Sequence, residues 1–138
     1  MHSDTVTVRT GSRQGVFDIT RQCQAFLDEE GGQGSDGILH VFVPHATAGL
    51  ALIETGSGSD EDLLAALEEL LPTDDRWRHA HGSRGHGRSH VLPALVPPYA
   101  SVPVIGGRLA LGTWQSIVLV DVNVDNETRT VRLSFLPG

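Results

Sequence analysis

Histidines concentrated in one short stretch of the chain predict a site for a metal ion or for proton transfer. Four of the seven histidines fall within twelve residues, and they are His79, His81, His86 and His90. Imidazole is the commonest metal ligand in proteins, and it exchanges protons near neutral pH. A set of three histidines that leaves one coordination position open is typical of a catalytic metal site.

The stretch around these histidines, residues 76–89, is also rich in arginine. Its four arginines are Arg76, Arg78, Arg84 and Arg88. The guanidinium group matches the geometry of carboxylates and phosphates, with which it forms paired hydrogen bonds. Histidines and arginines together therefore predict a polar site at which a metal ion or a proton-transfer group meets a negatively charged ligand.

A fifth histidine, His45, follows an apolar run and lies at a predicted strand end, which is a rigid place for a ligand. We predict that His45, His79 and His90 are reached by one ion. The alternative for His45 is a buried histidine that is hydrogen-bonded to the backbone. For His81 and His86 the alternative is that both are solvated loop residues.

Two further positions carry groups that a reaction can use. Glu54 follows an apolar strand, where it is a candidate general base or a carboxylate that orients a ligand; the alternative is a solvated strand end. At residues 112–115, a glycine permits close backbone approach, Trp114 supplies a stacking face and Gln115 supplies an amide. The alternative for this segment is a β-bulge with a tryptophan in the core.

Charge and composition limit the partners. The net charge is −7, and nucleic acid binding needs a basic surface, so nucleic acid is excluded as the main partner. No apolar run approaches the roughly 20 residues that a membrane-spanning helix needs. The first residues carry neither a basic nor an apolar segment, so we expect no secretory signal. The single cysteine, Cys23, cannot form a disulfide within the chain, so we expect a reducing, cytoplasmic compartment.

All ten basic residues are arginines. The absence of lysine excludes a Schiff-base lysine, a lysine general base and the lysine of a phosphate-binding P-loop. The remaining candidates for chemistry are histidines, carboxylates and arginines.

The elements that must position these residues are mostly strands. Residues 5–8 and 16–19 are predicted to form a hairpin. The nearly continuous apolar run at residues 38–43 predicts a strand that is covered on both faces. Gly106-Gly107 between two strands predicts a second hairpin. Further strands are predicted at residues 48–53, 102–105, 108–111, 116–124 and 128–135.

Two helices are predicted. The first begins at Thr20 and ends at Gly31-Gly32, and the second carries leucines at helical spacing and ends at Pro72. Residues 73–99 show little periodicity, which predicts a long functional loop. The pattern indicates an α+β fold in which residues 1–138 form a single domain, a mostly antiparallel two-sheet β-sandwich with two main helices.

The site residues carry a resemblance to a known family. His45-Ala46-Thr47-Ala48, with Glu54 nine residues after His45, resembles the His-Thr-Thr-Ala…Glu signature of the YjbQ-like family. Trp77-Arg78-His79 resembles its Tyr-Arg-His element, and Ser89-His90 resembles its Ala-His element. Residues 107–115 match its Gly-x4-Gly-Thr-Trp-Gln block.

This resemblance spans about residues 38–135 and implies a function as well as a fold. It implies an α+β sandwich that assembles as a homotrimer, with three histidines grouped in a polar pocket. It also implies secondary thiamine-phosphate synthase activity, in which a pyrimidine diphosphate is coupled to a thiazole phosphate with loss of pyrophosphate.

The chain departs from the family pattern at three places. His86 stands where the family has asparagine, Pro97-Pro98-Tyr99 where it has Gly-x-Ser, and Ser57-Gly58-Ser59 where it has an acidic pair. A fourth histidine at the asparagine position implies a change in metal choice or coordination number. The altered loop implies a change in substrate specificity.

We therefore predict a metal-dependent enzyme that acts on a small phosphorylated or anionic substrate. His45, His79 and His90 are assigned to a divalent metal, with zinc expected. Glu54 and Gln115 are assigned to catalysis, and the residues assigned to substrate binding are Thr47, Arg88 and Trp114. The alternatives are a non-catalytic trimeric module that binds a small anion, and a trimer whose histidines only stabilise the interface.

Overall fold

A computed structural model describes residues 1–30 and 33–138, and these residues form eight β-strands and three α-helices. The strands are β1 His2–Arg9, β2 Gly15–Asp18, β3 Gly37–Phe42, β4 Ala48–Ile53, β5 Tyr99–Ile105, β6 Arg108–Leu109, β7 Ser116–Asp121 and β8 Thr128–Pro137. The helices are α1 Thr20–Glu30, α2 Ser59–Leu70 and α3 Gly87–Leu95. The predicted helix end at Gly31-Gly32 lies outside the described residues. Within the described part of the chain, no helix is long and apolar enough to cross a membrane.

Two antiparallel sheets form the sandwich. The five-stranded sheet has the order β1-β8-β3-β5-β6, and the three-stranded sheet has the order β2-β7-β4. Alternate side chains of each strand face the other sheet, so Leu39, Leu119 and Leu133 are fully buried between the sheets. The predicted α+β two-sheet sandwich is confirmed.

The helices cover what the sheets leave open. Cys23 and Leu27 of α1 are buried in the core between the sheets. Helices α2 and α3 contribute Leu67 and Leu92 to a second core, which covers the other face of the three-stranded sheet at Val120. The three-stranded sheet is therefore buried on both faces.

The predicted hairpin of the first two strands is wrong. Strand β1 pairs with β8, and β2 pairs with β7 in the other sheet. The connection crosses between the sheets, and Gly11 and Ser12 within it have φ values of 70° and 54°. Thr10 and Gly11 both donate backbone hydrogen bonds to the carbonyl oxygen of Glu127. Long-range pairing with β7 and β8 outweighs pairing between sequence neighbours. In contrast, the hairpin at Gly106-Gly107 is confirmed, because both glycines have the positive φ that this turn requires.

Helix α3 is a correction to the prediction of two helices, because it lies inside the stretch that was predicted to be a loop. The positions that it buries include Gly87, Arg88 and Ser89 as well as Leu92. Because three of these four residues are not apolar side chains, the helix has no apolar periodicity that sequence analysis can detect. It also contains Pro93 and ends two residues later.

The segment after α3 packs directly against the strands. A Cβ atom on Gly49 would overlap the carbonyl oxygen of Val96. The amide of Leu50 donates to the carbonyl oxygen of Pro97, and that of Val43 donates to Pro98, each at 2.8 Å. This contact fixes α3 against β4.

The outer face of the five-stranded sheet is partly apolar and uncovered in one chain. Ile38 is 49% exposed and Phe42 is 38% exposed, so β3 is not covered on both faces as predicted. Their cross-strand neighbours Pro103, Leu136 and Tyr99 are exposed too. We call these five residues the outer apolar face. The apolar run in β3 therefore has one buried face and one face that is partly open to solvent in a single chain.

A buried ion pair joins the two sheets. Asp121 ends β7 in one sheet, and Arg129 lies near the start of β8 in the other; they are 0% and 3% exposed. Arg129 Nε donates to Asp121 Oδ2 at 2.6 Å, and Arg129 Nη2 donates to Oδ1 at 3.1 Å. Arg129 Nη2 also donates to Thr47 Oγ1 at 2.8 Å. These bonds fix the turn between β7 and β8.

Replacing Asp121 tests the weight of this pair. Asp121→Asn leaves a buried guanidinium charge without its counter-charge, which typically costs about 3–5 kcal/mol in the free energy of unfolding. Urea denaturation followed by circular dichroism measures the loss. The control is Asp74→Asn, because Asp74 pairs with Arg76 at the surface and its loss should barely move the urea midpoint. Equal midpoints for the two variants would contradict the structural role of Asp121.

Candidate metal centre and anion pocket

Four histidine side chains converge at one point. His79, His81, His86 and His90 each offer a ring nitrogen, and these four atoms lie within 4.8 Å of one another. His86 Nε2 is 3.0 Å from His90 Nε2, and the Nε2 atoms of His79 and His81 are also in contact. The rings of His79 and His90 stack with centroids 3.8 Å apart. We call these residues the four-histidine cluster.

Helix α3 and the loop before it position the cluster. His86 and His90 are four residues apart at the start of α3, so they share a helix face. His79 reaches them because the loop packs closely against the helix. A Cβ atom on Gly87 would overlap the carbonyl oxygen of His79 and the side chain of Trp77. Glycine at position 87 is therefore a condition for the cluster.

A carboxylate stands behind one of the rings. Asp125 Oδ2 lies 2.6 Å from His86 Nδ1. Ser83 donates to the same carboxylate from its amide at 3.3 Å and from its hydroxyl at 3.0 Å. Burial opposes ionisation of Asp125, but the contacts with Ser83 and His86 lower the pKa of its carboxyl below its usual value. A carboxylate at Nδ1 directs the lone pair of His86 Nε2 toward the other histidines.

The buried ion pair holds this carboxylate in place. Asn123 Oδ1 accepts a hydrogen bond from the amide of Asp125 at 3.0 Å. The amide of Asn123 donates to Asp121 Oδ1 at 2.9 Å. The turn that presents Asp125 to His86 is thus bonded, through Asn123, to the pair of Asp121 and Arg129.

The environment lowers the pKa of two of the imidazoles. Desolvation by its packed neighbours lowers the pKa of His79 from its ordinary value, and the charges of His81 and His86 lower it further. Burial also lowers the pKa of His90, with added repulsion from the other three histidines. Neutral imidazole is the form that binds metal ions, so these rings are ready to act as ligands at neutral pH.

His45 is not part of the cluster in one chain. Its Nε2 accepts a hydrogen bond from the amide of Thr130 at 2.9 Å. Burial and the nearby Arg129 lower the pKa of His45, against the opposing charge of Asp121. A neutral ring has one nitrogen lone pair, and here the Thr130 amide uses it. The structure thus brings His79 and His90 together as expected, whereas His45 adopts the alternative of a histidine bonded to the backbone.

Two residues predicted to bind substrate lie near this site. Thr47 is buried, and its hydroxyl oxygen accepts hydrogen bonds from Arg129 and from Asn123. Its visible role is therefore to hold the turn between β7 and β8. The side chain of Arg88 is only 5% exposed, and its Nη1 lies 3.0 Å from a carboxylate oxygen of Glu68. Burial lowers the pKa of Arg88, and the charge of Glu68 raises it.

The other predicted site residues lie at the far end of the three-stranded sheet. Trp114 and Gln115 occupy the turn before β7, and Glu54 follows β4 directly. Trp114 is 72% exposed, so the alternative of a core tryptophan does not hold. Gln115 Oε1 accepts a hydrogen bond from the amide of Gly112 at 2.8 Å.

The strand register gives the separation between the two ends. Ile53 pairs with Ser116 at the end near Glu54, and Ala48 pairs with Asp121 at the end near the ion pair. Five residues of extended strand span about 17 Å at ~3.4 Å per residue. Within one chain, Glu54 is therefore remote from the turn that contacts His86.

Sequence analysis left the roles of two members of the site open and missed a third. His81 and His86 were given a solvated-loop alternative, yet both belong to the cluster. A usable signal existed for His86, since its spacing of four residues from His90 fits one helix face. No local signal identified Asp125, which comes from a distant turn.

Removing the Asp125 carboxylate should release the ring of His86. In the metal-free protein, nitrogen-15 NMR should show His86 with its proton on Nδ1, because that nitrogen faces the carboxylate. Asp125→Ala should shift His86 toward a mixture of tautomers. The matched control is Asp75→Ala, since the carboxylate of Asp75 is exposed and pairs with Arg84 at 3.8 Å. Unchanged His86 nitrogen shifts in Asp125→Ala would show that the carboxylate does not orient the ring.

Comparison with known proteins gives one consistent result. The family described as UPF0047 protein YjbQ-like matches residues 4–138. The UPF0047 protein Rv2556c of Mycobacterium tuberculosis is 57% identical over 138 residues, which cover all of both chains. UPF0047 protein YugU of Bacillus subtilis is 31% identical over 96% of this chain and 97% of its own. The crystal structure of hypothetical protein APE1520 from Aeropyrum pernix is similar over all of both chains, with a TM-score of 0.89 and 33% identity. The chain therefore belongs to the YjbQ-like UPF0047 family.

Proposed function

We propose that this protein is a metal-dependent enzyme acting on a small phosphorylated or otherwise anionic substrate. The observation that carries the proposal is the convergence of four imidazoles on one point. Protonated imidazoles this close together would repel one another. A metal cation that replaces the protons and is bound by the ring nitrogens therefore suits the cluster.

The residues fit zinc. Imidazole suits zinc, copper, iron and nickel, whereas the oxygen-rich sites that magnesium and calcium prefer are absent from the cluster. The carboxylate of Asp125 behind His86 follows the arrangement found around metal-binding histidines. His79 and His81 are exposed, so a substrate has access to the site from that side.

A zinc ion held there would polarise a phosphoryl oxygen or activate a water molecule. The chain itself supplies the charges that bind the substrate. Arg88 is the buried cation nearest to the cluster in sequence, lying between His86 and His90, and it would neutralise a phosphate. The sequence predicts that Glu54 supplies acid–base chemistry and that Gln115 orients the substrate. Because both lie far from the cluster within one chain, they would have to come from a second subunit.

Assembly into a homotrimer is part of the proposal. The outer apolar face of the five-stranded sheet needs a cover, and a second copy of the chain supplies one. Exposed Trp114 gives the far end of the three-stranded sheet a side chain that is enriched in protein interfaces. A cyclic assembly can place the Glu54 end of one subunit beside the four-histidine cluster of the next.

The specific reaction proposed is a transfer like that of thiamine-phosphate synthase. It rests on the resemblance of the site motifs and on the arginines around the cluster, which suit substrates that carry a phosphate and a diphosphate. The assay measures the pyrophosphate that is released when a pyrimidine diphosphate is coupled to a thiazole phosphate.

The second candidate is a non-catalytic module that binds a small anion. The observation that favours it is the separation of Glu54 from the histidines in one chain, which leaves no general base of the predicted kind at the cluster. Pyrophosphate release separates the two candidates, because the module would bind the substrates without turnover.

Zinc binding should depend on the cluster. Titration of zinc into the metal-free protein, followed by calorimetry, should give one site per chain. Loss of a ligand in His79→Ala or His90→Ala should weaken binding by more than the roughly 10- to 100-fold that loss of an outer partner costs. His40→Ala is the control, because His40 bonds Ser101 on the outer face of the five-stranded sheet.

The pH dependence of zinc binding has a definite sign. Protons compete with zinc for the ring nitrogens, and the pKa values of His79 and His90 lie below 6.5. Zinc binding should therefore weaken as the pH falls, and the loss should come at a lower pH than for imidazoles with an ordinary pKa. Equal zinc affinity in His90→Ala and His40→Ala would contradict the proposed site.

The trimer should depend on the outer apolar face. Ile38→Glu places a charge in the middle of that face, and burying it in an interface would be costly, so the variant should dissociate to monomers. Light scattering measures the mass. Leu70→Glu is the control, since Leu70 is an exposed residue of α2 on the opposite side of the sandwich. A monomeric wild type would refute the assembly.

A further inference from the structure

A second cavity adjoins the four-histidine cluster. It has a volume of about 340 Å³ and lies between the β1–β2 connection and the segment that leads into α3. Its walls include Arg13, Arg84 and Arg88, and His86 forms part of the same wall. We call it the arginine pocket. Its size is that of a site for a small molecule.

The pocket lining is basic. Among the described residues that line it, three are arginines and none is aspartate or glutamate. Glu68 and Asp125 contact Arg88 and His86 without lining the pocket themselves. An anion is the ligand that such a lining favours.

Arg88 is the fixed charge of the pocket. Its side chain is 5% exposed, and its Nη1 is held by Thr73 Oγ1 at 2.6 Å and by Glu68 Oε2 at 3.0 Å. Among the described residues, Nε and Nη2 of Arg88 have no hydrogen-bond partner. Buried donors without partners are rare and costly, so these two N–H groups call for an acceptor from outside the chain.

Elsewhere in this protein, the edge of the guanidinium group that carries Nε and Nη2 binds carboxylates. Arg129 uses Nε and Nη2 on the two oxygens of Asp121, at 2.6 and 3.1 Å. Arg76 uses Nε and Nη2 on Asp74, at 2.9 and 2.8 Å. In Arg88 this edge has no such partner, so it offers a pair of donors spaced for two oxygens of one anion.

The other two arginines come from different parts of the chain. The guanidinium of Arg13 lies over the ring of Phe17, 5.2 Å from its centroid, so it is supported from the β1–β2 side. Arg84 is largely exposed and lies at the rim, 3.8 Å from Asp75. One buried and two peripheral charges suit an anion of more than one negative charge.

We infer that the arginine pocket binds the phosphate group of a small phosphorylated molecule, with two phosphate oxygens on Nε and Nη2 of Arg88. Arg13 and Arg84 add charge from the rim. Because His86 belongs to both sites, the bound phosphate lies beside the four-histidine cluster. The inference rests on the proposed function only in taking this molecule to be the substrate, since phosphate binding itself needs no metal.

Inorganic phosphate is the probe, and the metal-free protein is the sample. Amide NMR shifts should move at residues 12–14 and 83–89 as phosphate is added. Arg88→Lys keeps the charge but removes the paired donors, so phosphate binding measured by calorimetry should weaken roughly 10- to 100-fold, as expected for loss of a charge-assisted hydrogen bond. Arg13→Gln and Arg84→Gln should each weaken it less.

Arg108→Gln is the matched control. Together with Arg21, Arg108 lines a larger groove of about 760 Å³, none of whose lining residues belongs to the arginine pocket, so loss of Arg108 should not change phosphate affinity. His79→Ala is the second control, because it should remove zinc binding while leaving phosphate binding intact. This control separates failure of the inference from failure of the proposed metal site.

Several results would overturn the inference. One is a set of shifts centred on Arg21 and Arg108, and another is the absence of shifts at millimolar phosphate. A further one is wild-type phosphate affinity in Arg88→Lys. If Arg88→Lys does not fold, the double variant with Arg13→Gln and Arg84→Gln takes its place, and wild-type affinity in that variant counts equally. The last is acetate that binds as tightly as phosphate, which would indicate that the ligand is a carboxylate.

Discussion

The ion pair of Asp121 and Arg129 is the interaction on which the candidate site depends. It joins the end of β7 in one sheet to the start of β8 in the other, and both side chains are buried. A charge in that position is tolerated only with its partner and with its remaining donors bonded, and Thr47 supplies the additional acceptor. The turn between these two residues is thereby fixed, and Asn123 extends the order from Asp121 to the amide of Asp125. Asp125 in turn meets His86, so a contact deep in the sandwich determines how the His86 imidazole is oriented.

The loop before α3 and the start of α3 bring together side chains that would repel one another or lack partners in the chain alone. The loop before α3 must bring exposed histidines together, although their like charges would repel if they were protonated. Gly87 permits the close approach of the loop to the helix, and desolvation together with repulsion from the neighbouring imidazoles lowers the pKa of His79 and His90. The arginine pocket shows the same tension, since Arg88 is buried with two donors that no described residue accepts. A metal ion and an anion would relieve both tensions, which is why the cluster and the pocket are interpreted as parts of one site.

Sequence analysis reached the elements that are defined by local patterns. Leucine spacing located α2, and Gly106-Gly107 located the turn between β5 and β6, because both depend on neighbours in the chain. It failed for β1 and β2, whose partners are β8 and β7, since long-range pairing leaves no local signal. Helix α3 was missed because it buries Gly87, Arg88 and Ser89 in place of an apolar stripe.

The same limit applies to the site. The approach of His79 to His90 was predicted, but the inclusion of His81 and His86 depends on how the loop folds against α3. Asp125 comes from a turn far along the chain, and the bond between His45 and the Thr130 amide depends on the start of β8.

The central claim, that the four-histidine cluster holds zinc, is tested most directly by X-ray absorption at the zinc edge of the zinc-loaded protein. We expect three or four imidazole nitrogens at about 2.0–2.1 Å from the metal. A shell with fewer than three imidazoles, or one dominated by carboxylate oxygens, would contradict it.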